Sequence, residues 1–187
     1  IKIVTLNTKP HTIMSISHIS KSIYQLDITP PVFLGPLIDD ITCDIAVIGG
    51  GLTGVSTALS LSEKGFNVFL FEAGSIGDGG SGRNGGQICQ GWSTNFEKLS
   101  KYIDTEFQQD MWLTGIEGPP LIKDRIEKYR IDCDVQWGYV HTAIHKGHMR
   151  ELNDYQKSFE ERGYSQLNAL PDKSSLFKYI CSDAYIG

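Results

Sequence analysis

Three glycines and one glutamate have the spacing of a nucleotide-binding turn. Gly49, Gly51 and Gly54 form G-x-G-x-x-G, and Glu72 follows about twenty residues later, as such turns require. The first glycine permits a tight bend, the second lets the backbone approach a diphosphate, and the third lets a helix pack closely on a strand. The helix then directs unpaired N–H groups at the phosphates. The pattern predicts a dinucleotide site in which the carboxylate of Glu72 binds ribose hydroxyls.

The flanking residues predict the elements that such a site needs. Residues 44–48 are rich in β-branched and apolar side chains and predict a strand. Residues 52–64 have helical periodicity and end at Gly65, which predicts a left-handed cap. Residues 68–71 are apolar throughout, which is typical of a strand covered on both faces of a parallel sheet. We therefore predict an α/β protein with a Rossmann-like βαβ unit. The helix residues expected to face the sheet are Val55, Ala58, Leu59 and Leu61.

Residues 73–87 form a second glycine-rich run directly after the second predicted strand. A flexible linker is one interpretation of such a composition. The position favours a binding loop instead, because ligands bind at the carboxyl ends of the strands in these folds. The glycines would let backbone amides face an anion or a flat ring, while Ser81, Arg83 and Asn84 would supply polar contacts.

The composition excludes several other classes of protein. The chain has 187 residues, of which 40% are hydrophobic and 21% charged, as in an ordinary soluble domain. A net charge of −5 argues against nucleic acid as a partner. No apolar run is long enough for a membrane span, and no secretory signal is evident. The four cysteines lack a C-x-x-C motif, which favours free thiols and a cytoplasmic location over a disulfide.

These motifs resemble those of the D-amino-acid oxidase and glycine oxidase family of FAD-dependent oxidoreductases. The run Ser-Gly-Arg-Asn-Gly-Gly-Gln at residues 81–87 is most similar to the γ-glutamylputrescine oxidoreductase subgroup. The resemblance extends over about residues 22–187 and covers only the first part of a family member. The segments that carry it are residues 45–54, 72–74, 81–87, 131–134, 137–139 and 182–187.

The resemblance implies FAD as the cofactor and a role for each matching position. Family members more often carry alanine at the position of Gly80. The implied contacts are Leu52, Thr53, Gly80 and Ser81 with the diphosphate, Glu72 and Ala73 with the adenosine ribose, and Gly85, Gly86 and Gln87 with the isoalloxazine ring.

The reaction that the resemblance implies is oxidation of a C–N bond in a small amine or amino acid. No residue of the chain can be named as catalytic. An NAD-dependent Rossmann enzyme is an alternative, which residues 73–87 disfavour. A non-catalytic remnant or binding fragment is a second alternative, and on its own the chain is not expected to be a competent oxidase.

The predicted organisation is an N-terminal arm (1–42), the FAD-binding portion (43–130) and the incomplete start of a substrate domain (131–187). Residues before Met14 are expected to lie outside the functional reading frame or to form a disordered lead. No third parallel strand is expected, which suggests a fragment studied alone, a truncated remnant, or one half of a split gene whose C-terminal half is encoded separately.

The remaining segments predict further helices and one strand region. Residues 131–144 predict a long strand or strand pair bent at Gly138. Helices are expected at residues 96–113, with Phe96, Leu99, Ile103, Phe107 and Met111 on one stripe, at residues 119–129 after a proline break, and at residues 149–162 before Gly163.

Two groups of residues invite further chemistry. His141, His145 and His148 would bind a metal only if they shared one helix face, which Gly147 and the preceding strand pattern disfavour, so surface histidines are expected and no metal site. Cys89 follows the proposed ring-binding run, and covalent attachment of a flavin there is a less favoured alternative.

Overall fold

The computed structural model describes residues 1–5, 22–26, 36–170 and 172–186. Its contacts divide the chain into two compact units, residues 1–124 and residues 125–187. The predicted division at residues 42 and 130 stays a prediction, and Met14 lies outside the described residues.

The described residues of the first unit form a parallel sheet of three strands. These are β1 (Lys2–Thr5), β2 (Ile45–Ile48) and β3 (Val68–Glu72). The order is β1-β3-β2, and both pairings with β3 are parallel. The first four residues of β3 are buried, as expected for a strand covered on both faces. The predicted small parallel sheet is therefore confirmed.

Strand β1 departs from the sequence prediction. A third parallel strand was expected to be missing together with the later parts of a family member. The residues before Met14 were expected to lie outside the functional reading frame or to form a disordered lead, yet Lys2–Thr5 pair with β3. Val4 is buried against Phe69 and Phe71, and Lys2 Nζ lies 5.0 Å from the centre of the Phe69 ring. The predictions of a disordered lead and of a sheet without a third parallel strand are wrong at these residues, because a strand this short has no periodicity to reveal its long-range pairing. The expectation about the reading frame stays a prediction.

Helix α1 (Leu52–Glu63) packs on one face of the sheet. Ala58 is fully buried, and Val55 and Leu61 pack beside it. These three residues confirm the predicted apolar face, whereas Leu59 is half-buried and is not part of this cluster. The strand residues that they cover are Val68 and Leu70 of β3 together with Ile3, Ile45 and Val47.

Helix α1 ends in a Schellman motif at Gly65. Gly65 has φ +92° and donates its N–H to the carbonyl of Ser62 at 2.9 Å, while the Phe66 N–H donates to the carbonyl of Leu61 at 3.2 Å. This hydrogen-bond pair satisfies carbonyls that the helix end leaves open. The predicted left-handed cap is confirmed.

The helix predicted over residues 96–113 is broken into shorter pieces. The structure has α2 (Phe96–Leu99), 3₁₀ turns at Ser100–Tyr102 and Thr105–Phe107, and α3 (Gln108–Ile116). Ile103 is extended, with φ −126°. The side chain of Gln108 donates to the carbonyls of Ser100 and Ile103 at 3.0 and 3.1 Å, and so replaces helical N–H donors there. The prediction of one continuous helix is wrong.

The apolar stripe predicted on that helix is correct only in part. Phe96 is buried and packs edge to face on the buried Trp112, with ring centres 5.4 Å apart. Phe107, predicted to face the core, is 54% exposed. The break that was predicted near Pro119 is confirmed, because a new helix, α4 (Gly118–Tyr129), begins there.

The second unit contains α5 (Lys146–Glu161) and α6 (Lys173–Phe177). Helix α5 begins three residues before the predicted Met149, because the Nδ1 atom of His145 caps it and accepts from the N–H groups of Gly147 and His148 at 3.1 and 3.3 Å. The predicted stop at Gly163 is confirmed, with φ +84°. His145 therefore has a structural role at the start of the helix.

The strand region predicted at residues 131–144 is absent from the described structure. Gly138 does bend the chain, with φ +98°, but residues 131–143 have no regular structure. A strand is stable only beside a neighbour that forms a ladder of hydrogen bonds, and the bond that the Ile186 N–H donates to the carbonyl of Ala143 at 2.8 Å does not continue into such a ladder. The strand prediction is therefore wrong. Apolar side chains of this segment, such as Trp137 and Val140, are exposed.

The described residues were also searched for disulfides, metal-binding groups and membrane-spanning helices. The four cysteines are free thiols, and all but Cys43 are exposed. The described residues contain no group of three His, Cys, Asp or Glu side chains that could hold a metal ion. No helix in these ranges has the length and apolar character that crossing a membrane requires.

Candidate cofactor-binding site

The glycine-rich turn connects β2 to α1 beside the end of β3. Gly49 has φ +99°, a conformation that side chains disfavour. Its N–H donates to the carbonyl of Phe71 at 2.8 Å, so the turn stays attached to the central strand. A Cβ atom on Gly54 would collide with the carbonyl of Gly49 and lie 3.6 Å from Leu70. The turn therefore has the close helix-to-strand approach that its sequence predicts.

The start of helix α1 offers backbone donors. Its N-cap, Gly51, has no side chain with which to cap the helix. The Leu52 N–H donates to Ser81 Oγ at 3.0 Å, whereas the N–H groups of Thr53 and Gly54 contact no acceptor in the described part of the chain. These donors lie at the positive end of the helix dipole, where an anion is stabilised.

Ser81 closes over the same helix end. A Cβ atom on Gly51 would lie 2.8 Å from Ser81 Oγ, so a side chain there would displace the serine hydroxyl from this position. The serine hydroxyl accepts from Leu52 and still has its own proton to donate. The first and second glycine-rich segments thus meet at the N-terminus of α1.

The carboxylate of Glu72 connects the turns that follow β2 and β3. Oε2 accepts from the Gly50 N–H at 2.6 Å, and Oε1 accepts from the Gly74 N–H at 2.8 Å. Glu72 is half-buried at the end of β3. An ionised carboxylate has about four lone-pair sites, so two remain for hydroxyl donors of a ligand. Sequence reasoning located this carboxylate correctly at the strand tip but did not anticipate its two backbone partners.

The second glycine-rich run folds back over the first and is not a flexible linker. Gly77 donates its N–H to the carbonyl of Gly50 at 3.0 Å. A Cβ atom on Gly50 would collide with the side chain of Ile76, and one on Gly82 would collide with the carbonyl of Gly77. The glycines of this loop therefore allow backbone segments to lie in direct contact.

Arg83 and Asn84 bind the loop itself. Arg83 Nε donates to the carbonyl of Asp78 at 3.2 Å. Asn84 Nδ2 donates to the carbonyl of Ser81 at 2.8 Å, and its Oδ1 accepts from the Gly86 N–H at 2.8 Å. These bonds hold the loop backbone in one shape. The ligand contacts that the sequence predicts for both side chains stay predictions.

The other predicted site residues lie along the surface of the loop. Ala73 is exposed, and Gly80 begins a 3₁₀ turn over Gly80–Gly82. A Cβ atom on Gly80 would meet nothing within 4 Å, so the alanine that the resemblance leads us to expect at this position would fit there. A Cβ atom on Gly85 would lie 2.6 Å from the side chain of Gln87.

Sequence reasoning missed one segment that contacts this loop. Residues Ser22–Leu26 were read as part of an extended arm, yet Tyr24 donates its hydroxyl to the carbonyl of Asn84 at 3.1 Å. Gln25 Nε2 donates to Asp78 Oδ1 at 2.9 Å. The sequence carried a signal for the local turn, because Ser22-x-x-Gln25 has the capping-box pattern, but none for its contact with the loop.

Comparison with known proteins identifies the family. Residues 44–177 match the FAD-dependent oxidoreductase family, DAO. The chain therefore belongs to this family. The match begins beside β2 and extends through both glycine-rich segments and into α6.

Two curated relatives show which members of the family the chain is similar to. The chain is 37% identical to "Gamma-glutamylputrescine oxidoreductase" of Escherichia coli over 81% of its own length and 35% of that protein. It is 36% identical to "Probable oxidoreductase OrdL" of Haemophilus influenzae over 81% of its length and 35% of that protein. The chain thus spans about a third of the length of these curated relatives. No solved structure gives a significant match.

Proposed function

We propose that this chain is the N-terminal, FAD-binding part of a flavin-dependent oxidoreductase that acts on a small amine or amino acid, as γ-glutamylputrescine oxidoreductase does by its name. The family match and the 37% identity to that enzyme support the proposal. Because the chain spans about a third of the relatives, the complete reaction is proposed for a whole family member. A cytoplasmic location is part of the proposal.

The observation that carries this proposal is the meeting of two glycine-rich segments at the start of α1. Glu72 accepts from the Gly50 N–H, and Ser81 accepts from the Leu52 N–H. The arrangement leaves helix donors, a hydroxyl proton and a carboxylate close together, which suits a diphosphate joined to a ribose. An NAD-dependent site would not require the second glycine-rich loop, and we therefore favour FAD.

The residues present fit FAD in three groups. Donors at the start of α1 would bind the diphosphate, and the end of β3 would bind the adenosine ribose. The backbone of residues 85–87 would lie along the isoalloxazine ring. The bound flavin would supply the acceptor for a hydride from the carbon next to the substrate nitrogen, after which the imine product hydrolyses in water. The proposed contact residues are Gly49, Gly51, Leu52, Thr53, Gly54, Gly80 and Ser81 for the diphosphate, Glu72 and Ala73 for the ribose, and Arg83, Asn84, Gly85, Gly86 and Gln87 around the ring.

A cofactor titration tests this proposal. The purified chain is titrated with FAD, followed by flavin fluorescence, and with NADH, followed by nicotinamide fluorescence. We expect quenching of flavin fluorescence and no change for NADH. Binding of the nicotinamide cofactor as tight as that of FAD would refute the proposal.

A turnover assay tests whether this chain alone can oxidise an amine. Apolar side chains at the end of the edge strand β2 and at the start of α1 are exposed in the described structure, with Ile48 72% and Leu52 67% exposed. We expect the chain by itself to produce no hydrogen peroxide from amines, because no described residue is placed to align a donor carbon with the flavin. Adding the C-terminal portion of a family member should increase flavin retention, since a partner that binds the folded form stabilises it. Peroxide production at the rate of a complete family member would show that the active site lies within these residues.

A further inference from the structure

The segment Ser22–Leu26, which we call the N-terminal brace, contacts the second glycine-rich loop at two points. The Tyr24 hydroxyl donates to the carbonyl of Asn84 at 3.1 Å. Gln25 Nε2 donates to Asp78 Oδ1 at 2.9 Å. The two contacts are six positions apart along the loop, so they constrain its shape as well as its position.

The N-terminal brace is itself held in one conformation. Ser22 Oγ accepts from the Tyr24 N–H at 3.1 Å, and Gln25 Oε1 accepts from the Ser22 N–H at 2.9 Å. Ser22 is only 8% exposed. Gln25 therefore uses its amide oxygen for the capping box and its amide nitrogen for Asp78. A glutamate at this position could accept in the capping box but could not donate to Asp78.

Tyr24 also occupies the space beside Gly86. Gly86 has φ +76°, and a Cβ atom on it would lie 2.8 Å from the Tyr24 hydroxyl oxygen. Asn84 Oδ1 accepts from the Gly86 N–H at 2.8 Å. Tyr24, Asn84 and Gly86 thus form one contact cluster, in which the tyrosine fixes the backbone at residues 84–86.

We propose that the N-terminal brace positions the flavin-facing backbone, with Tyr24 and Gln25 as positioning residues. This inference rests on the proposed function, in which residues 85–87 lie along the isoalloxazine ring. In the described structure the contacts of the brace fall on Asp78, Asn84 and Gly86. They do not fall on Gly80 or Ser81, the loop residues proposed for the diphosphate, or on the start of α1 and the end of β3. The brace therefore acts on the ring end of FAD and not on its ADP end.

Titration with two ligands tests this assignment. ADP contains the diphosphate and adenosine of FAD without the ring. The Tyr24→Phe variant of the full chain loses one hydrogen bond, so we expect its Kd for FAD to rise about two- to tenfold, the range for a single net hydrogen bond, while its Kd for ADP stays unchanged. Tyr102→Phe is the matched control, because Tyr102 is 89% exposed in the same unit.

Amide hydrogen exchange gives a readout that does not depend on a ligand. Without the Tyr24 hydroxyl, the Gly86 amide should exchange faster in the ligand-free chain, while amides of β3 should be unaffected. A general loss of stability would accelerate exchange in both places. Faster exchange confined to the loop supports positioning, and equal acceleration in β3 would overturn it.

Exchanging the amide and the carboxylate between positions 25 and 78 tests the role of Gln25 independently of Tyr24. Gln25→Glu keeps the acceptor of the capping box but brings a carboxylate against Asp78, so exchange in the loop and the Kd for FAD should both rise. Adding Asp78→Asn restores a donor and an acceptor in the opposite sense, and we expect this double variant to recover wild-type values. Failure of the double variant to recover either value would overturn the role of this pair.

The outcomes separate the inference from the proposed function. A wild-type chain that binds ADP but not FAD would overturn the proposed function, and with it the role of the N-terminal brace toward flavin. A wild-type chain that binds FAD, with Tyr24→Phe binding it equally well, would overturn the role of the brace alone. Equal weakening of FAD and ADP binding in Tyr24→Phe would overturn the assignment to the ring end.

Discussion

Replacement of Glu72 should affect the fold as well as the cofactor. From the motif alone, Glu72→Ala is expected to weaken FAD binding with little change in the fold. In the structure its two oxygens accept from the N–H groups of Gly50 and Gly74, at 2.6 and 2.8 Å. The carboxylate thus joins the turns after β2 and β3 before any ligand binds. We therefore expect Glu72→Ala to lower the free energy of unfolding.

The size of that loss follows from the two hydrogen bonds. A hydrogen bond to a charged group contributes about 1.5–3 kcal/mol. Glu72 is half-buried, so water will replace part of the lost bonding in the alanine variant. We expect a decrease of about 2–4 kcal/mol for Glu72→Ala and about half of that for Glu72→Gln, whose amide nitrogen can accept no hydrogen bond. In addition, Glu72→Ala should weaken FAD binding by about 1–3 kcal/mol through lost ribose contacts.

Urea unfolding of the ligand-free chain measures the first effect, and flavin fluorescence measures the second. Glu106→Ala is a suitable control, because Glu106 is an exposed glutamate in the same unit. If Glu72→Ala unfolds at the same urea concentration as Glu106→Ala, the carboxylate does not join the two turns. If FAD binding is unchanged while stability falls, Glu72 has a structural role only.

Three further substitutions test other parts of the structure. Gly54→Ala places a Cβ against the carbonyl of Gly49 and should lower the free energy of unfolding by about 1–3 kcal/mol, as measured by urea unfolding. Gly79→Ala is its control, since a Cβ there meets nothing within 4 Å. Gly51→Val should abolish FAD binding, measured as flavin stoichiometry, because its side chain meets Ser81 and the proposed diphosphate position. The Ser175 N–H donates to Asp172 and lowers the pKa of that carboxyl; stability lost in Asp172→Ala at pH 7 should therefore shrink as the pH falls below about 4, measured by thermal unfolding across pH.

The βαβ unit could be predicted from the sequence because its signals are local. The glycine turn, the cap at Gly65 and the buried composition of β3 each depend on a few neighbouring residues. The structure agrees with all three. Local signals of this kind determine backbone conformation with little help from distant contacts.

The parts that were predicted wrongly depend on contacts between distant residues or on single side chains. Strand β1 exists through its pairing with β3, more than sixty positions away. The helix predicted at residues 96–113 breaks where the Gln108 side chain binds two carbonyls, which hydrophobic periodicity does not register. The strand region at residues 131–144 has the composition of a strand, but its one backbone hydrogen bond with residues 182–186, from Ile186 to Ala143, forms no ladder in the described structure.

The candidate site shows the same division between what sequence reveals and what it does not. The motif located Glu72 at the end of β3, and the position of the second glycine-rich run singled out Ser81. In the structure both side chains accept backbone N–H groups of the turn between β2 and α1, while their ligand contacts stay predictions. The motif did not reveal Tyr24, because nothing in the sequence relates residues 22–26 to residues 78–86. The adenine end of the proposed site is thus built from neighbouring segments, whereas the ring end depends on a contact from before the first strand of the βαβ unit. This difference explains why the two ends should respond separately to substitution, as titration with ADP and FAD would reveal.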